Sequence, residues 1–347
     1  MHIANIMFSR GLGGIEQAFI DYAEALSRQN VKVTNFIYPK AQVKAGLENL
    51  NLDIIEINNL GNWDPLARFK IKKHLKKIRP DAIIAHGIRA VVLTQKAAKQ
   101  INIPIIGVTH NYSVKRLIGL DAIFATTNDL KNQVTAHGQK PESVFIIPNM
   151  VRIKNPEPEI FIGYRAPPVI GTMGRMVKKK GFDIFINALA ILNNESIEFK
   201  ALIGGAGEEE TSLKQQVAMF GLQDKITFPG WIKDKATFFN EIDIFCLPSI
   251  HEPFGIILLE AMAHGKPVIT TNSEGPAEIT TDGKDVFMVN KNDNVELANS
   301  LKKLIATPNL SYGLIKSAYH TAQNYSIDKI GQKMAEVVDK ITSAKVI

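Results

Sequence analysis

Residues 251–269 read HEPFGIILLEAMAHGKPVI. Two glutamates, Glu252 and Glu260, bracket a run that is otherwise almost wholly apolar. Pro253 and Gly255 mark the turn into a helix from about Phe254 to Ala263. His264, Gly265 and Pro267 supply its stop: a C-terminal cation, a glycine just past the end, then proline. Between them Ile256, Ile257, Leu258, Leu259, Ala261, Met262 and Ala263 are apolar on all sides, which predicts a buried helix. Its free N–H groups at Phe254, Gly255 and Ile256, together with the helix dipole, form a site for an anion such as a phosphate. Glu260 lies one turn below Ile256 on the same face. A lone carboxylate there is costly unless something meets it, and two partners suit it: the hydroxyls of a ribose flanking the anion, or a buried cation. Glu252 precedes the helix, either on the far side of the phosphates, where a sugar would sit, or in a solvent-exposed turn.

Outward from this helix, the chain alternates short β-rich runs with longer helical patterns. In the first half the strands are predicted at 2–8, 31–37, 52–57, 81–87, 104–110, 122–127 and 144–148. A second series falls at 169–174, 199–205, 225–231, 243–249, 266–271 and 285–289. Continuous apolar strands separated by helices argue for parallel sheets covered on both faces. Pro156, Pro158, Pro167 and Pro168 mark a hinge or linker between the series. The domains are therefore expected at 1–160 and 165–325. A last helix within 326–347 has no strand after it and is free to cap either domain. Tandem doubly wound units place a cleft between them, with ligands outside the carboxyl ends of the strands.

The stretch E-P-F-G-I-x-L-L-E-A-M-A-x-G-x-P-V-I, from Glu252 to Ile269, resembles the E-x7-E signature of the retaining glycosyltransferases of family 4. The resemblance covers nearly the whole chain and is stronger in the second half. It implies the GT-B fold, an α/β architecture of two Rossmann-like doubly wound domains facing each other across a cleft. It also implies that Glu260 binds the nucleotide ribose and that Glu252 lies near the donor sugar. GRMVKKKGFD (174–183) is similar to the family's G-R-x(4)-K-G segment, so Arg175 and Lys180 would grip the donor diphosphate. Two cations there stabilise the charge that develops on the leaving nucleoside diphosphate, whereas Lys178 and Lys179 read as a solvated loop.

RGLGGIEQ (10–17) fails as a dinucleotide fingerprint because Glu16 stands where the third glycine belongs. It resembles the family's N-terminal glycine loop, which singles out Gly13 and Gly14 for donor phosphate and acceptor; a plain tight turn is the competing reading. His110-Asn111 matches a His-Asp or His-Asn pair placed near the donor sugar, although a lone histidine is more often structural. His86, at the same kind of strand end, is a candidate for the acceptor side. GGAGEEE (204–210) resembles a G-x-G-x-E turn, and FPGWI (228–232) a segment whose backbone meets the nucleobase. Trp231 is thus either a nucleoside contact or core. Departures are Met150-Val151-Arg152, where the family has G-[IV]-D, and Val286, where a glycine is common.

The 347 residues are 45% hydrophobic and 22% charged, an ordinary globular composition. No apolar run approaches the roughly 18 residues of a membrane span, and MHIANIMFSRGLGG has no basic n-region of a signal peptide. The single cysteine, Cys246, fits a reducing cytoplasm. No D-x-D and no metal-spaced His/Cys cluster occurs, so neither a metal nor another cofactor is expected. Residues 1–165 carry 22 Lys+Arg against 13 Asp+Glu, a net of +9, while residues 166–347 carry 19 against 21, a net of −2. Most of the excess is in PLARFKIKKHLKKIRP (65–80), predicted as a helix with Leu66, Phe69, Leu75 and Ile78 inward. Its Arg68, Lys70, Lys72, Lys73, Lys76 and Lys77 form either a solvated face or a contact for anionic lipid through 66–79. Nucleic acid is not expected, since no aromatic-interleaved basic stretch appears.

These features predict transfer of a hexosyl group, with retention, from a nucleotide diphosphate sugar (UDP favoured, GDP-mannose the variant) to a hydroxyl. The acceptor is expected to be a cell-envelope glycan or glycolipid such as lipopolysaccharide, met at the inner face of the cytoplasmic membrane. The competing readings are a sugar-nucleotide epimerase on the same fold and a non-catalytic nucleotide-sugar-binding subunit; length and the absence of a pyridoxal-binding lysine motif weigh against an α-glucan phosphorylase.

Overall fold

The computed structural model describes residues 1–11, 13–99, 101–153 and 163–343. The chain divides into two compact units, one formed by Met1–Met150 with Tyr325–Ile347 and the other by Val151–Asn324. The proline-rich linker read from the sequence lies, over 154–162, outside the described residues.

The first unit runs β1 (His2–Met7), α1 (Gly14–Arg28), β2 (Lys32–Ile37), α2 (Val43–Asn49), β3 (Asp53–Glu56), α3 (Pro65–Ile78), β4 (Ala82–His86) and α4 (Gly87–Lys99). It continues with β5 (Ile105–Val108), β6 (Ala122–Ala125), α5 (Asn128–Ala136) and β7 (Val144–Ile146). Its seven strands are all parallel, in the order β3-β2-β1-β4-β5-β6-β7. Alternation along β1 sends Ile3 and Met7 to one face, where α1 and α2 cover them. Ala4 and Ile6 face the other way, where α3, α4 and α5 lie. Asn5 is buried between, its amide donating to Asn35 Oδ1 at 2.9 Å and Phe19 O at 3.2 Å, so its N–H groups are matched inside the sheet.

The second unit runs β8 (Val169–Met173), α6 (Phe182–Asn194), β9 (Lys200–Gly204), α7 (Glu210–Met219), β10 (Ile226–Gly230), α8 (Lys235–Glu241) and β11 (Ile244–Leu247). It continues with α9 (Ile256–Ala263), β12 (Val268–Thr271), α10 (Glu274–Ile279), β13 (Phe287–Val289), α11 (Asn294–Ala306) and α12 (Pro308–Asn324). Six parallel strands are ordered β10-β9-β8-β11-β12-β13. α6, α7 and α11 bury Phe185, Leu189, Leu213, Leu297 and Leu301 against one face. Cys246 is buried on β11 and burial pushes its thiol up, away from reactivity.

α13 (Ile327–Ser343) returns to the first unit. Its stripe Ile327, Ile330, Met334 and Val338 joins the core beneath α1, and Arg28 pairs with Asp328 at 3.0 Å at the rim. Gly331 is the point of close approach: a Cβ there would lie 2.8 Å from the Ala25 carbonyl oxygen.

Two expectations are corrected. The buried helix does not start at Phe254. α9 begins at Ile256 because Gly255 turns the chain at φ +92°, a left-handed conformation that only glycine adopts cheaply. Phe254, 4% exposed, is a core residue ahead of the helix. In α3 the inward stripe is Ala67, Ile71 and Leu75, spaced i, i+4, i+8. Leu66 and Phe69 point to solvent, 71% and 67% exposed.

Gly331→Val should push α13 off α1 and cost about 2 kcal/mol, read as a lower midpoint in thermal unfolding. Gly313→Ala, in α12 with nothing within 4 Å of its Cβ, should be neutral or slightly stabilising.

Candidate functional site

In the second unit the loops following β8, β9, β10, β11 and β12 leave the same edge of the sheet and lock together. Gly174 N–H donates to Gly204 O, Gly205 N–H to Gly230 O, and Ile250 N–H to Lys179 O, all between 2.8 and 2.9 Å. At Gly181, φ is +64° and a Cβ would stand 2.1 Å from Pro248 O. Only glycine lets the 178–181 turn press against the β11 loop, and this delivers Lys180 to Glu252.

Glu252 is 8% exposed and its carboxylate accepts from the Lys180 ammonium in a short hydrogen bond. Ser249 Oγ reaches the same oxygen at 3.5 Å. The Glu252 backbone N–H donates to Glu274 Oε2 at 3.1 Å, and its carbonyl accepts from Gly275 N–H at 2.8 Å. Glu274 also faces the His251 ring at 3.1 Å and Lys291 at 3.4 Å. Burial works against the Glu274 carboxylate, but its own backbone N–H, His251, the Glu252 N–H and Lys291 outweigh this and hold its pKa below the ordinary value.

Glu260, on the second turn of α9, meets Lys235 from the first turn of α8, at 2.6 and 2.8 Å to its two oxygens. The side chains are 16% and 39% exposed respectively. Of the two partners that suited this carboxylate, the cation is the one present. At the helix tip, the N–H groups of Gly255 and Ile256 meet no acceptor among the described residues. Arg175 is exposed just past the end of β8, without a carboxylate partner among the described residues. Trp231, 46% exposed just past β10, lines a hollow with Pro229, Asp234 and Phe238 and is not core. One edge thus gathers Arg175, a helix tip and two carboxylates already matched to Lys180 and Lys235, a setting suited to a polyanion carrying hydroxyl groups. Among the described residues no three His, Cys, Asp or Glu side chains group as metal ligands.

In the first unit, the corresponding sheet edge carries Gly13, Gly14, His86 and His110. Gly13 caps α1, and Gly14 is its first residue. Glu16 accepts from Ser9 Oγ in a short bond, closing the loop between β1 and α1. His86 Nδ1 lies 3.0 Å from His110 Nε2 with the rings stacked at 5.2 Å. Phe19 and Tyr22 meet the His86 ring edge-on. Burial pushes His110 down to about 4, and burial and then His110 hold His86 well below the usual histidine range. Both rings are therefore neutral at pH 7, sharing one proton in a hydrogen bond. Asn111 turns away from this pair, its Oδ1 accepting from Ser113 N–H at 2.8 Å.

Residues 159–321 match the family described as Glycosyl transferases group 1, and residues 12–155 match the one described as Glycosyltransferase Family 4. The chain belongs to the group 1 glycosyltransferases. Two relatives, the lipopolysaccharide core biosynthesis glycosyltransferases LpsE and LpsD of Rhizobium meliloti (strain 1021), are 27% and 28% identical. The matches cover 92% and 86% of this chain and 94% and 86% of theirs. The crystal structure of Anabaena HepE in complex with UDP-glucose shares the fold, GT-B, with a TM-score of 0.85 at 22% identity over 98% of this chain and 100% of that one.

Two residues of this candidate site carry no local signal in the sequence. Lys235 looks like any lysine opening a helix, and Glu274 like any first-turn acid. Each is bound to its partner from 25 or 22 positions away.

The histidine pair makes stability depend on pH. Unfolded, His110 would titrate near 6.5; folded, it does so near 4. Over that interval the unfolded chain binds a proton that the folded chain refuses, so stability is unaffected above about pH 6.5 and falls toward pH 4. Full burial would make the loss about 3 kcal/mol, and the partial exposure of His110 brings it nearer 2 kcal/mol. His110→Gln should remove about one proton from this slope in urea titrations at stepped pH.

Proposed function

We propose that this glycosyltransferase transfers a hexosyl group, with retention, from a UDP-sugar to a hydroxyl of a lipopolysaccharide core or related cell-envelope glycolipid. The observation that carries the donor reading is the placement of Lys180–Glu252 just ahead of the α9 tip and of Lys235–Glu260 one turn below it. The diphosphate lies at that tip against the Gly255 and Ile256 N–H groups, with Arg175 and Lys180 as its counter-ions. Lys180 moves from Glu252 to phosphate, and the freed Glu252 carboxylate accepts from the donor sugar. Glu260 binds the ribose diol while retaining or releasing Lys235, and Trp231 borders the nucleobase.

In the reaction the bond between the anomeric carbon and the β-phosphate oxygen breaks as the acceptor oxygen bonds to the same face. The acceptor proton passes to the departing phosphate oxygen. Arg175, Lys180 and the helix N–H groups stabilise the negative charge that appears there, where such groups act most strongly. Glu252 and Glu260 are committed to binding, and Glu274 to the Glu252 N–H, His251 and Lys291, so no carboxylate pair remains for a double displacement. No metal is required in this scheme, since the cations of the chain neutralise the diphosphate.

The choice of UDP is supported by HepE, whose structures hold UDP, UDP with glucose, and UDP-glucose. The choice of acceptor is supported by the names of LpsE and LpsD. A thermal-shift panel of UDP, GDP and ADP tests the donor. At a hundred times its Kd the right nucleotide adds about 2.7 kcal/mol of stability, and a flat panel would remove the donor assignment. Glu260→Gln should weaken UDP about tenfold or more while leaving the unliganded fold intact. Glu252→Ala should lower kcat at least about a hundredfold with only a modest change in nucleotide affinity, and an unchanged kcat would take Glu252 out of the site.

A further inference from the structure

We propose that the amino-terminal end of α3 is a bilayer-insertion surface. Leu60, Trp63, Leu66 and Phe69 enter the interfacial layer of an anionic membrane, and the lysines farther along α3 meet its headgroups.

The four side chains are 95%, 62%, 71% and 67% exposed, within ten residues of one another. Single exposed apolar residues are common on soluble proteins, but a cluster of large ones marks a contact surface. Helical geometry places them. With Ala67, Ile71 and Leu75 turned inward, positions 66, 69 and 73 form the ridge diametrically opposite. Leu66 and Phe69 occupy its start, and Lys73, Lys76 and Lys77 continue it, with Lys70 alongside. Asp64 fixes the junction: its carboxylate caps Leu66 and Ala67 N–H and also accepts from Leu60 N–H, folding 60–64 back over the helix start. The Trp63 ring is held outside the core, with the Arg68 guanidinium 5.4 Å and the Lys96 ammonium 5.6 Å from its centre. An indole ringed by cations, apolar in body and polar at its margin, suits the headgroup level of a membrane.

Charge selects the occupant. Residues 65–80 contain no Asp or Glu, and Lys73, Lys76 and Lys77 have no carboxylate partner among the described residues. Each such lysine near an anionic surface strengthens binding roughly fivefold, and an apolar ridge running into a lysine ridge is the pattern of interfacial helices. The location also fits. The 57–64 connection leaves the carboxyl end of β3, the same edge of the sheet that carries Gly13, His86 and His110. A membrane gripped there would present a lipid-linked acceptor to that edge.

The test uses the full chain, without nucleotide, and vesicles of phosphatidylcholine alone or mixed equally with phosphatidylglycerol. Co-sedimentation is expected with the mixed vesicles only. In a Trp231→Phe background, Trp63 emission should shift to the blue on binding and be quenched by brominated acyl chains. The triple variant Trp63→Ser, Leu66→Ser, Phe69→Ser should lose at least about tenfold in partitioning, and Lys73→Glu with Lys77→Glu a similar factor. All five changes are on exposed positions and should leave thermal unfolding unchanged. No sedimentation, equal binding to neutral vesicles, binding without a change in Trp63 emission, or binding retained by the triple variant would each overturn the proposal. A protein partner or a second copy on this face would give the first of these results. Since no nucleotide is present, a negative result leaves the donor reading untouched, and a failed nucleotide panel leaves the vesicle result standing.

Discussion

Every strand in both sheets runs parallel to its neighbours, and parallel pairing obliges the chain to cross back over the sheet after each strand. All of the crossovers except the one from β5 to β6 are helices, so these carboxyl ends open into loops that climb to a helix start. All of these loops share one edge in each unit. Residues as distant in sequence as Lys180 and Glu252 become neighbours because β8 and β11 are adjacent strands. Everything chemical in this glycosyltransferase stands on that geometry.

Ion pairing then sets the state of the candidate donor site. Burying a carboxylate as deeply as Glu252 is costly without a partner. Lys180 meets it, as Lys235 meets Glu260. The two pairs differ in their exposure. Lys180 is enclosed, its side chain 16% exposed, whereas the Lys235 side chain is 39% exposed. A polyanion entering near Lys180 would exchange one negative partner for another, so the lysine need never be left uncompensated. That exchange links the fold, which stores the cation next to an acid, to the proposed chemistry, which uses it against phosphate.

The first unit solves a different problem. Its sheet edge holds two imidazoles kept neutral by burial and bonded to each other, a place for uncharged hydrogen-bonding groups rather than for a polyanion. The same unit carries the excess positive charge, concentrated in α3. There the helix leaves Leu66 and Phe69 in water because its crossing over the sheet uses the Ala67–Ile71–Leu75 stripe. Small and branched side chains at those three positions let α3 lie close to the sheet and to α4, so the larger aromatic residue is the one left outside.

The sequence by itself determined the alternation of strands and helices, because continuous apolar runs of four to six residues and amphipathic stretches have different periods. It also determined which helix would be buried, through the run from Ile256 to Met262 that is apolar except at Glu260, and which glycine-rich turns would stand at strand ends. What only the tertiary structure decided were the choices between faces and between partners. The stripe read as inward on α3 included Leu66 and Phe69, and packing against the sheet selected Ala67, Ile71 and Leu75 instead. The start of α9 depended on Gly255 taking a left-handed turn while Phe254 filled the core. Glu260 could have met a hydroxyl or a cation, and the nearness of α8 to α9 supplied Lys235. A one-dimensional pattern specifies periodicity, which is local; the identity of a charge's neighbour depends on strand order, which is not.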